Sequence, residues 1–193
     1  MSRIALGLEY DGTDFAGFQA QTNARSVQSA LEFAISRVAD HPVGVGAAGR
    51  TDAGVHALGQ VVHFDSHAPR TDDQWLLGIN SGLPADASVR WVRQVAPSFD
   101  ARRSALWRRY VYVIQQGATR SALARRHTWW VRARLDHAAM HQAAQAWLGE
   151  NDFSAFRAAG CQSSTPMRCL HSARVVQRDE YLMLEYTANA FLY

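Results

Sequence analysis

The chain has 193 residues, enough to bury a real core in one large or two small units. Its 48% hydrophobic and 19% charged residues are ordinary for a globular protein, and no apolar run reaches the 18 or so residues a membrane span needs. The net charge of +3 hides a strong asymmetry: residues 1–101 carry 7 Arg and 11 acids, residues 102–134 carry 9 Arg and no acid, and residues 135–193 carry 4 Arg and 6 acids. There is no lysine, a pattern that base composition alone can produce. The clustering is more informative, because nine cations in 33 residues repel one another unless a polyanion offsets them. Arginine's planar fork suits phosphate and its flat face stacks on bases, so nucleic acid is the expected partner, with a solvated basic face as the plain alternative.

Ile4, Leu6, Leu8 and Tyr10 alternate as a strand, ended by Asp11-Gly12. Ser26 is placed to cap a helix whose apolar face is Val27, Ala30, Leu31, Ala34, Ile35 and Val38. A strand is expected at Val43–Ala47, a loop through Gly59, and a second strand at Gln60–Asp65. Thr71 should cap a helix that stops at Pro84, and Val89, Trp91, Arg93 and Val95 alternate in a further strand. The order is β-α-β-β-α-β, the ferredoxin-like split arrangement.

A second unit is expected from residue 102, giving domains at 1–101 and 102–193. Trp107–Ile114 reads as a strand. Asp136 can cap a helix buried through Met140, Ala143, Ala144, Trp147 and Leu148, with Gly149 at its end. Ala173–Gln177 and Tyr181–Ala188 form an expected hairpin around Arg178-Asp179-Glu180. This unit reads β-α-β-β and lacks a closing α-β. The predicted class is therefore α+β: two ferredoxin-like units with antiparallel sheets, the second incomplete.

Several chemistries are weighed and set aside. Gly44-Val-Gly46-Ala-Ala-Gly49 fits a dinucleotide fingerprint, but it follows a helix and precedes no helical pattern, which counts against a nicotinamide-dependent oxidoreductase. His56, His63 and His67 have no helical ligand spacing or Cys-x-x-Cys pair and read as ordinary loop and surface histidines, so no metal is expected. Cys161 and Cys169 read as small gap fillers, and no G-x-S-x-G elbow locates a serine nucleophile. A signal peptide's apolar block is missing, so a cytoplasmic location is the default expectation.

The informative stretch is Gly49-Arg50-Thr51-Asp52-Ala53-Gly54-Val55-His56-Ala57. On turn chemistry alone it is an Asx-type turn with Gly54 free to take positive φ. Functionally, it places a carboxylate between two glycines that allow another backbone to approach, next to Arg50, a fixed cation.

This nonapeptide resembles the active-site motif of the TruA-type tRNA pseudouridine synthases. Tyr10-Asp11-Gly12-Thr13 with Phe15–Gln19, Phe99–Arg102 with Arg108–Tyr112, Asp152–Phe156 and Asn189–Tyr193 resemble further blocks of that family. The resemblance implies conversion of uridine to pseudouridine at positions 38–40 of the tRNA anticodon stem-loop, without cofactor or metal, by a homodimer. It implies that Asp52 is the essential carboxylate, either attacking covalently or removing a sugar proton. It further implies that Tyr110 packs on the flipped base and that Arg50 helps displace it. Arg102, Arg103, Arg108 and Arg109 are expected to contact phosphates. Family members continue past Phe-Leu-Tyr into a helix whose Arg pairs with the catalytic carboxylate. That leaves a non-catalytic RNA-binding fragment as the alternative reading, with one face of the Tyr181–Ala188 strand expected to lie uncovered.

Overall fold

The computed structural model describes residues 1–161 and 163–192 and separates into two compact units, Met1–Ala105 and Leu106 onward. It has the α+β architecture, with sheets built mainly from antiparallel pairs.

In the first unit, β1 (Ser2–Tyr10), α1 (Val27–Ala39), β2 (Gly46–Ala47), β3 (Ala57–Ser66), α2 (Asp72–Gly82) and β4 (Ala87–Val95) follow in chain order. The sheet order is β2-β3-β1-β4, with each neighbouring pair antiparallel, which is the split β-α-β topology twice over. Local chemistry sets the helices. Ser26 Oγ accepts the Ser29 N–H at the start of α1. Thr71 and Gln74 exchange bonds of 3.0 and 3.2 Å in a reciprocal capping box that starts α2. Val27, Leu31, Ala34 and Ile35 then sink into the core with Leu6, Leu8, Phe64, Trp75 and Ile79, each large side chain contributing roughly 1.5–3 kcal/mol. Trp75 meets Phe64 edge-on at 5.2 Å.

Two expectations change here. The strand expected at Val43–Ala47 is only Gly46–Ala47. The Val43 N–H donates to Ser36 Oγ and the Val45 N–H to Glu32 Oε1, so α1 side chains take the amides a longer strand would pair. The alternation Val89, Trp91, Arg93, Val95 also breaks. Pairing with β1 steps from Gly7↔Trp91 to Leu8↔Val89, leaving Arg90 as a bulge. The bulge reverses parity, so Val89 and Val92 are buried while Trp91 stands on the outer face across Gly7.

The second unit holds β5 (Arg108–Gln116), β6 (Trp129–Val131), α3 (His137–Gln145), β7 (Gly149–Asp152), β8 (Met167–Arg178) and β9 (Tyr181–Ala188), in sheet order β6-β5-β9-β8-β7. The β8–β9 hairpin turns through Asp179, whose φ of 51° is left-handed. Two short edge strands, β6 and β7, extend the expected β-α-β-β, and β6 runs parallel to β5. Asp136 caps α3 by accepting from the Ala138 and Ala139 N–H groups. The helix ends at Gln145 rather than beside Gly149. Asn151 Nδ2 donates to the Trp147 and Leu148 carbonyls and draws the chain off the helix axis. The apolar face expected of α3 is accordingly thin: only Ala144 is buried, packed with Leu170, Ala173 and Ala188. No helix among the described residues is long and apolar enough to cross a membrane.

Candidate active site

The conspicuous loop of the first unit joins β2 to β3 and presents Asp52, exposed, between two fixed flanks. Before Asp52, Thr51 Oγ1 lies 2.8 Å from the Tyr10 hydroxyl, and its carbonyl accepts the Phe18 N–H at 2.9 Å. After it, the Val55 N–H returns to the Asp52 carbonyl at 3.2 Å and the Gly54 N–H reaches the Phe15 carbonyl at 3.4 Å. His56 Nδ1 accepts the Gly12 N–H at 3.1 Å and lies 3.0 Å from Asp11 Oδ1. Further along, Gln60 Nε2, on a nearly buried side chain, donates to the Gly49 carbonyl. The loop therefore lies against the Tyr10–Phe18 segment, and glycine makes that approach possible. Gly17 has φ +97°, and an added Cβ would stand 2.9 Å from the Thr51 carbonyl oxygen. Gly54, at φ +79°, turns the chain after Asp52.

Neither Asp52 nor Arg50 makes a side-chain hydrogen bond or ion pair with the described residues of its own unit, and both are exposed. The loop thus offers a carboxylate and a guanidinium outward from a fastened backbone, as a site for an external substrate requires. Asp65 is held below its ordinary range chiefly by the hydrogen bond from Arg3, and Asp86 chiefly by that from Arg25.

A family model described as tRNA pseudouridine synthase matches residues 8–102 and 143–193. Proteins named tRNA pseudouridine synthase A are similar over nearly the whole chain. That of Shewanella baltica (strain OS223) is 51% identical over 191 residues, which is 99% of this chain and 73% of the relative. That of Legionella pneumophila (strain Lens) is 49% identical with the same coverage. That of Alcanivorax borkumensis is 51% identical over 193 residues, 100% of this chain and 72% of the relative. The chain belongs to the tRNA pseudouridine synthase family.

The site residues expected of a tRNA pseudouridine synthase divide between the units. Asp52, Arg50, Arg102 and Arg103 lie in the first, and Tyr110, Arg108 and Arg109 lie on β5 of the second. Tyr110 is 38% exposed and meets Phe191 edge-on at 4.8 Å. Arg102 and Arg103, both exposed, use their backbone amides to hold Asp100 Oδ1, at 2.9 Å each. Arg108 Nη1 donates to the Asn189 carbonyl at 2.8 Å. Arg109 is ion-paired with Glu185 at 2.8 Å, so its charge is partly offset within the fold.

The histidines separate by role. His41 stacks on His67 at 4.2 Å, and His63 Nδ1 accepts the Ala101 N–H at 3.1 Å, so these rings brace structure. His56 instead fastens the Asp52 loop. The sequence presents it as an ordinary loop histidine within the motif and Tyr10 as a strand residue opening a family block, and neither fastening role is legible there because each acts through a partner more than 40 positions away. The block at Asn189–Tyr193 ends on Tyr193, which lies outside the described residues.

Proposed function

We propose that this chain isomerises uridine to pseudouridine at positions 38–40 of the tRNA anticodon stem-loop, with Asp52 as the essential carboxylate. The observation that carries the reading is Asp52 itself: exposed, in the motif that resembles the family's active site, on a loop fastened on both flanks. The reaction breaks the N1–C1′ bond, turns the base and rejoins it through C5, so the nucleotide must leave the stack. Asp52 supplies the carboxylate at the sugar, Arg50 helps displace the base and contacts the RNA backbone, and Tyr110 packs on the flipped uracil. Arg102, Arg103 and Arg108 hold phosphates and set the register of the RNA without reading its sequence. Arg109 joins them at the cost of loosening its pair with Glu185. The enzyme acts in the cytoplasm as a homodimer, with each subunit presenting its basic segment to one tRNA.

The experiment is mass-spectrometric mapping of pseudouridine in unmodified tRNA incubated with the protein. The expected product carries pseudouridine within positions 38–40. Modification confined to another arm of the tRNA would overturn the positional assignment while leaving the family membership intact.

A further inference from the structure

We infer that His56 is a positioning residue for Asp52, its Nδ1 pinning the C-terminal flank of the loop to the Asp11–Gly12 turn. The inference rests on the reading of Asp52 as the essential carboxylate. The loop is held unequally on its two sides. Thr51 is tied twice, by the Tyr10 hydroxyl and the Phe18 N–H, with both distances under 3 Å. On the other flank the backbone contact from Gly54 to Phe15 is long, at 3.4 Å, and the Val55 N–H only turns back on Asp52. The firm point on that flank is the His56 ring, which accepts the Gly12 N–H at 3.1 Å. Gly12 lets the two backbones approach closely, since a Cβ there would run into the Val55 carbonyl oxygen. Gly12 allows the approach, and the imidazole fastens it.

The chemistry at Nδ1 follows from its partners. Asp11 Oδ1, 3.0 Å from the same nitrogen, is engaged by the Thr13 N–H at 3.0 Å and the Thr13 hydroxyl at 2.6 Å. Thr13 thus holds Asp11 Oδ1 beside the ring, and the Gly12 N–H and Asp11 Oδ1 together fix where Nδ1 sits. What the loop requires is therefore a polar atom one bond beyond Cγ of residue 56. Asparagine places its amide oxygen there, whereas glutamine places its own one bond further out.

The test compares His56→Ala, His56→Asn and His56→Gln in the full chain, with tRNA as substrate. The alanine variant should lose roughly 10- to 100-fold in kcat, the scale of a misplaced reacting group. Its KM for tRNA should stay within about twofold, because the RNA contacts are untouched. The asparagine variant should recover most of the loss and the glutamine variant should not. Hydrogen exchange of the Gly12 amide gives a readout independent of turnover, slow in the native and Asn proteins and faster in the Ala protein. A native kcat in His56→Ala, an Asn variant no faster than the Gln variant, or a Gly12 amide that exchanges equally fast in the native and Ala proteins would each overturn the positioning role. Should His56→Ala fail to fold, the Asn–Gln comparison decides. An unsubstituted protein that forms no pseudouridine would instead sink the reading of Asp52, and that failure shows in the control before any variant is compared.

Discussion

The Tyr10 hydroxyl lies 2.8 Å from Thr51 Oγ1, joining the end of β1 to the residue immediately before Asp52. Tyr10 is 3% exposed and its ring is set edge-on to Phe15, so the hydroxyl is aimed from a rigid base. Tyr10→Phe keeps the ring packing and deletes one hydrogen bond. Unfolding in urea should show a loss of about 1 kcal/mol, and pseudouridine formation should slow at unchanged tRNA affinity. Equal stability and equal turnover would mean that the contact does not hold the loop.

Gly17 and Gly54 flank the same loop but should respond differently to alanine. At Gly17 both the φ of +97° and the Thr51 carbonyl oppose a Cβ, so Gly17→Ala should cost on the order of 3 kcal/mol and displace Thr51. At Gly54 the φ of +79° is unfavourable but the space is open, and the cost should be roughly 1–2 kcal/mol. Thermal melts of the two variants check the order, and a costlier Gly54→Ala would contradict the packing described.

Arg25 and Asp86 form a two-pronged ion pair, at 2.6 and 2.7 Å, between the residue preceding the Ser26 cap and the start of β4. The hydrogen bond from Arg25 holds Asp86 below its ordinary value of 3.8. A depressed folded value contributes stability that is complete above the unfolded value and is lost as pH falls through the folded one. Asp86→Asn should therefore be less stable than the native protein near neutral pH, by about 1 kcal/mol or less given the pair's partial exposure. The two should converge as pH falls through the folded value of Asp86, which lies below 3.8. A difference that persists undiminished in acid would assign the effect to something other than the ion pair.

How far these relationships can be read from the sequence depends on their range. The caps at Ser26, Thr71 and Asp136 and the buried face of α1 were legible because a cap and its helix lie within a few residues. The Arg90 bulge was not, since it exists only through the register with β1. The edge strands Trp129–Val131 and Gly149–Asp152 escaped notice because pairing with β5 and β8, not their own pattern, makes them strands. At the site, the motif around Asp52 stood out as a block. Its fasteners did not, because Tyr10 and Gly12 lie 41 and 44 positions from Thr51 and His56.

Binding should follow the arginines unequally. If Arg102, Arg103 and Arg108 meet phosphates, replacing each by Ala should lower the slope of log affinity against log salt by roughly 0.7–0.9. Arg109→Ala should lower it less, because Glu185 already offsets that charge, and Glu185→Gln should strengthen tRNA binding. Salt titrations of tRNA affinity measure both effects. A slope that no variant changes would place the RNA elsewhere.

The most direct test of the account is Asp52→Asn assayed beside the unsubstituted protein. The change keeps the shape of an exposed side chain that has no partner among the described residues of its unit, so folding and tRNA affinity should be preserved. Pseudouridine content measured by mass spectrometry should be high with the native protein and at background with the variant. An Asn variant that binds tRNA and still forms pseudouridine at the native rate would contradict the assignment of Asp52.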